Sequence, residues 1–152
     1  MTLTQILEKT CVKVPLEGKD KESVITELVD LLDAGGQLAD RDNVLEAVLI
    51  REKTRSTGIG SGIAIPHGKC SGSKKLVMAI GISPEGIEFE SVDGKKVHII
   101  VLLASPIDRT GPHIQALARI SRLMLDEDFK NKLQNSTSAE ELYGLISEKE
   151  DQ

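Results

Sequence analysis

Three residues stand in contexts that suit phosphoryl chemistry. The first is His67, at the end of the run Gly62-Ile63-Ala64-Ile65-Pro66-His67-Gly68. Ile63 to Ile65 read as a short buried strand, and Pro66, with no amide hydrogen for a sheet ladder, marks its end. His67 is therefore expected at a strand end, held by the sheet and facing outward. Imidazole can be both nucleophile and leaving group near neutral pH, because its unperturbed pKa is about 6.5. Gly58, Gly60, Gly62 and Gly68 surround it, and glycine lets backbone amides come close to a doubly charged phosphoryl group. The other reading is a turn histidine bonded to backbone, and spacing alone leaves both open.

The second residue is Arg51. Val44, Ala47, Val48 and Arg51 fall at helical spacing, so a guanidinium extends an otherwise apolar face. Arginine offers a fork that matches phosphate oxygens; it is equally at home as a cation near a helix C-terminus. The third is His113, behind Gly111-Pro112 in the first turn of a predicted helix. Amides exposed there attract anions, and the helix field disfavours protonation of a nearby imidazole, so a neutral His113 could donate one ring hydrogen. A first-turn histidine with no role is the alternative. Ser56 and Thr57 are weaker candidates as hydroxyl donors, since both residue types also form turns. His98, mid-strand between Val97 and Ile99, reads as structural.

Other chemistries find little support. Cys70 follows His67 by three residues, too local for a nucleophile and its base. No Cys/His set has zinc spacing, no acidic loop resembles a calcium site, and Gly58-x-Gly60-x-Gly62 lacks the spacing of a dinucleotide fingerprint. A hydrolase built on His67, His98 and His113 around a metal would need three converging imidazoles. No metal and no cofactor is expected.

The elements that must position these residues are readable in order. A strand is predicted over 11–16, ending near Pro15. Val24, Leu28, Leu31 and Leu32 mark a helix from about Lys21 that Gly35-Gly36 stops, and Asp40 caps the next helix. Leu76–Ile82 reads as a strand, Ser83-Pro84-Glu85-Gly86 as a turn, and Ile87 to Glu90 as a half-exposed strand. Val97 to Ala104 reads as the most buried strand. Ile114, Leu117, Ala118, Ser121, Met124 and Leu125 define the stripe of a mostly buried helix, which Ile120 and Leu123 widen, and helices follow over 126–133 and 138–148. The class is α/β: a mixed sheet of about five strands with helices packed on it, residues 1–152 forming a single domain.

With 152 residues, 39% hydrophobic and 28% charged, the chain can bury a core of its own. Two Phe, one Tyr and no Trp make that core aliphatic, and a net charge of -5 with so few stacking rings argues against nucleic-acid binding. The start shows no basic leader, and the run Ile99–Ala104 is too short to cross a bilayer, so a cytoplasmic, non-embedded protein is expected. Cys11 and Cys70 are expected to stay reduced.

Taken together, Arg51-Glu52, Ser56-Thr57-Gly58-Ile59-Gly60, Gly62 to Gly68 and Pro112-His113-Ile114-Gln115-Ala116-Leu117-Ala118 resemble the enzyme IIA domain of the bacterial phosphotransferase system. The resemblance is to the fructose/mannitol type, which includes the stand-alone nitrogen-regulatory members, and it covers nearly the whole chain. It implies that His67 accepts a phosphoryl group from the histidine phosphocarrier protein and passes it to a IIB cysteine. Arg51 and His113 match the family's active-site arginine and second histidine. An apolar rim from Ile59, Ile63 or Ile107 is expected to serve docking. Neither a IIB-like cysteine domain nor a membrane segment lies in these 152 residues, which points toward a regulatory member.

Overall fold

The computed structural model describes residues 2–151. After a short 3-10 turn (Leu3–Gln5) come β1 (Leu7–Lys13), α1 (Lys21–Ala34), α2 (Arg41–Thr54), β2 (Gly58–Gly60), β3 (Ile63–Ala64) and β4 (His67–Lys69). Then follow β5 (Val77–Ile87), β6 (Val97–Ser105), α3 (Thr110–Leu123), α4 (Glu127–Gln134) and α5 (Ala139–Glu150). Six strands make one sheet in the order β1-β5-β6-β3-β2, with β4 also on β6. It is mixed: β1 runs parallel to β5, β5 antiparallel to β6, and β3 and β4 both parallel to β6. The expected class is what forms.

Val77 to Ile82 and Ile99 to Ser105 are buried at every position, so both faces of the central hairpin are covered, as continuous aliphatic runs require. α1 packs on β1 and β5, α2 on α1 and β4, and α4 and α5 pack together against the sheet. Asp20, Asp40, Asp126 and Ser138 cap α1, α2, α4 and α5 by accepting from Ser23, Asn43, Phe129 and Glu141 amides. Among the described α-helices α3 alone has no side-chain cap.

Four expectations shift. The first strand is Leu7–Lys13 rather than 11–16: Glu8, Lys9 and Thr10 are all exposed, because a register shift between Leu7 and Val12 breaks the alternation. Ser83 to Gly86 is no free turn but a bulge inside β5: Ile82 pairs with Ile99 and Ile87 with Val97, leaving the extra residues to loop out. Ile87 and Phe89 beyond it are buried, and residues 88–90 form no strand. On α3 the buried stripe is His113, Ala116, Ile120 and Met124; Ile114, Ala118, Ser121 and Leu125 face outward. The helix is thus rotated from the apolar face its sequence suggests, and it carries a histidine inward in place of Ile114.

The fourth shift concerns the opening motif. Pro66 interrupts the strand without ending it. β3 pairs with Ile99 and Ile100, β4 with Leu103, Ala104 and Ser105, and between them the Pro66 carbonyl accepts from the Leu103 amide at 3.0 Å. His67 begins the second piece, opposite Leu103. Gly68 follows because β4 lies directly on α2: a Cβ there would stand 3.2 Å from the Val48 nitrogen and 3.3 Å from the Ala47 carbonyl carbon. That close approach brings the strand of His67 against the helix of Arg51.

Candidate active site

His67 is half-buried, and its Nδ1 lies 2.7 Å from the Ile65 carbonyl oxygen. A carbonyl can only accept, so Nδ1 carries the hydrogen and donates it. Nε2 is left with its lone pair. Burial is the main influence lowering the pKa of His67, and the nearby Arg51 cation lowers it further; the Ile65 carbonyl and Glu52 act in the opposite sense. The result is an imidazole that is neutral and nucleophilic at Nε2 below the usual range.

His113 stands beside it, with ring centroids 5.4 Å apart and the planes crossed at 61°. It is 4% exposed, and its Nδ1 lies 2.7 Å from Ser105 Oγ. Burial, then the His67 ring, then the Lys69 cation push its pKa down to about 4. Lys69 itself donates to Thr110 Oγ1 at 3.1 Å, tying β4 to the first turn of α3. Because that helix lacks a side-chain cap, its leading amides remain available to an anion.

Arg51 sits in the last turn of α2, where its Nη1 donates to the Arg55 carbonyl at 2.9 Å. This bond holds the guanidinium at the helix end, near enough to His67 to disfavour its protonation. Ser56 and Thr57 have structural engagements. Ser56 Oγ donates to the Phe89 carbonyl. Thr57 donates its hydroxyl to Glu52 Oε2 at 2.7 Å and its amide to Oε1 of the same carboxylate at 3.0 Å. Glu52 is buried and paired with Lys21 at 3.3 Å, and it fastens the loop of residues 56–58 to α2. Sequence reasoning missed Glu52; its one signal was that a carboxylate at 52 follows Val48 by four residues, on the same buried face.

His98 lies five residues before Leu103, the strand partner of His67, which puts it about 16 Å along β6 from the site. Its Nδ1 donates to the Ser83 carbonyl at 2.9 Å, a structural bond. Among the described residues no group of three His, Cys, Asp or Glu is placed to hold a metal ion, and no helix is long and apolar enough to cross a membrane. Cys11 and Cys70 are free and buried. Ile59 and Ile107 are exposed, as are Ile50 and Ile114, Ile107 by 65% and Ile114 by 58%, whereas Ile63 is 2% exposed and belongs to the core.

The depressed pKa of His113 has a consequence for stability. Between pH 6.5 and about 4 the unfolded chain binds a proton that the folded chain refuses. Stability is therefore full above the unfolded value and falls as pH drops toward the folded one. The loss is on the order of 3 kcal/mol from this residue. His113→Gln is expected to flatten the fall, measured by urea unfolding on both sides of that window. An unchanged slope would contradict a neutral, buried His113.

The chain matches the family model described as phosphoenolpyruvate-dependent sugar phosphotransferase system, EIIA 2, over residues 5–149. It is 38% identical over 148 residues to the PTS system fructose-specific EIIABC component of Bacillus subtilis (strain 168), covering 97% of this chain but 23% of that relative's length. It is 33% identical over 148 residues to a nitrogen regulatory protein of Bradyrhizobium diazoefficiens, covering 97% of this chain and 95% of that protein. The solved nitrogen regulatory protein IIA-Ntr from Neisseria meningitidis superposes with a TM-score of 0.81 at 29% identity, covering 93% of this chain and 97% of that one.

Proposed function

This chain belongs to the phosphoenolpyruvate-dependent sugar phosphotransferase system EIIA 2 family, and on that premise we propose that His67 is its phosphoryl acceptor. The donor is the phosphohistidine of the histidine phosphocarrier protein. As the donor's N–P bond breaks, its electron pair stays on the donor ring, and the lone pair on His67 Nε2 forms the new N–P bond. The hydrogen on His67 Nδ1, donated to the Ile65 carbonyl, stays in place, and a donor ring that carries a hydrogen on its other nitrogen leaves as neutral imidazole, so no proton has to cross between the partners. Phosphoryl transfer passes through a loose transition state that asks the protein mainly for alignment and charge neutralisation. Arg51 offsets charge on the equatorial oxygens and His113 donates a hydrogen bond to one of them. Neither cofactor nor metal is called on.

The observation that carries this reading is the free Nε2 lone pair of His67 beside a neutral His113. The exposed side chains of Ile50, Ile59, Ile107 and Ile114 offer apolar surface on which a partner docks transiently. The 152 residues act as one domain in the cytoplasm, and the phosphoryl group passes on to a IIB cysteine in sugar uptake. The near-full-length likeness to a nitrogen regulatory protein favours a second output, in which the phosphorylation state switches binding partners.

Incubation with phosphoenolpyruvate, enzyme I and the phosphocarrier protein is expected to add one phosphoryl mass, lost again in acid. No adduct would remove the reading. Adding a IIB domain then separates the outputs: rapid loss of the adduct supports uptake, and a persistent adduct supports regulation.

A further inference from the structure

We propose that Ser105 is a positioning residue: it fixes the tautomer and ring orientation of His113, making Nε2 of that ring a hydrogen donor to the phosphoryl group. The phosphoryl part rests on the reading of His67 as acceptor; the tautomer does not.

Ser105 is the last residue of β6 and is fully buried, at 0% exposure. Its backbone is fixed: it pairs with Lys69, and its carbonyl accepts from the Cys70 amide at 3.0 Å. Its hydroxyl has one hydrogen-bond partner among the described residues, His113 Nδ1 at 2.7 Å. Two assignments are open to such a pair. If His113 donated from Nδ1, the serine hydrogen would be buried with nothing to accept it, at a cost of about 1–3 kcal/mol. If Ser105 donates, its hydrogen is satisfied and Nδ1 is the acceptor. A neutral imidazole has one N–H, so that hydrogen then sits on Nε2. The low pKa of His113 agrees with a neutral ring.

The two histidines are thereby set in opposite senses. The Ile65 carbonyl holds the hydrogen of His67 on Nδ1 and leaves Nε2 a lone pair. The Ser105 hydroxyl does the reverse to His113, leaving Nε2 as the N–H. One ring receives phosphorus and the other binds oxygen; the first is set by a carbonyl between β3 and β4, the second by the last residue of β6, the strand that both pair with. The serine lies eight residues from His113 in sequence, and only the turn from β6 into α3 brings them together.

Nitrogen NMR on the unphosphorylated protein reads the tautomer directly. The expected pattern for His113 is an unprotonated, hydrogen-bonded Nδ1 and a protonated Nε2; a protonated Nδ1 overturns the assignment. In Ser105→Ala the Nδ1 resonance should lose its hydrogen-bonded character, and phosphoryl acceptance should slow by roughly tenfold, with denaturation curves confirming that the variant is folded. Ser105→Ala added to His113→Ala should slow transfer no further than His113→Ala alone. An unaltered rate in the single variant, or a further drop in the double one, overturns the role. Failure of the wild-type protein to accept any phosphoryl group would remove the proposed function instead, and the tautomer measurement, needing no donor, would still judge Ser105.

Discussion

His67→Gln is expected to abolish phosphoryl acceptance, with a loss of roughly 10³-fold or more, the range seen when a nucleophile is removed. Glutamine is close in size and can still donate to the Ile65 carbonyl, so the strand start opposite Leu103 should persist. What disappears is the lone pair on Nε2. Neither remaining histidine can replace it. His113 is buried with its Nδ1 engaged by Ser105, and His98 is bonded to the Ser83 carbonyl far along β6. The fold should survive and gain a little stability in mild acid, because His67 too resists protonation when folded. An adduct that forms in this variant at the wild-type rate would mean that another residue is the acceptor.

Arg51→Ala is expected to slow transfer about 10²-fold, the usual cost of removing one preorganised donor from a developing charge. The structural cost should be small, since the side chain is only half-buried and makes one bond, to the Arg55 carbonyl, worth about 1 kcal/mol. The pH profile supplies an independent readout. Arg51 depresses the pKa of His67, so removing the cation should let it rise toward the ordinary value. The acidic limb of the rate profile would then move to higher pH. Arg51→Lys should restore that limb but only part of the rate, because a point charge lacks the fork that spans two oxygens. If Arg51→Ala left both rate and profile unchanged, the guanidinium would have no part in the transfer.

Much of this site was legible in the sequence, for identifiable reasons. A cation on an apolar helical stripe, and a histidine behind Gly-Pro at a helix start, are local anomalies that periodicity exposes. Both Arg51 and His113 proved to be neighbours of His67. The supports were not legible, since they depend on contacts between elements. Thr57 looked like a free hydroxyl because nothing local shows Glu52 turning back to take both its amide and its hydroxyl. Ser105 gave no local signal, lying just past the strand predicted over 97–104. Ile63 resembled Ile59 and Ile107 in type but sits in β3, between β6 and β2 in the sheet, and is buried. Pro66 was read as a stop because it cannot donate; its carbonyl, which accepts from Leu103, keeps the strand on the sheet. In α3 the apolar count favoured Ile114, whereas the fold turned His113 inward and left Ile114 exposed.

Phosphorus–nitrogen NMR on the phosphorylated protein tests the acceptor assignment most directly. A phosphorus coupling to Nε2 of His67, with Nδ1 still protonated against the Ile65 carbonyl, is the expected result. Coupling to Nδ1 of His67, or to a nitrogen of His98 or His113, would contradict it.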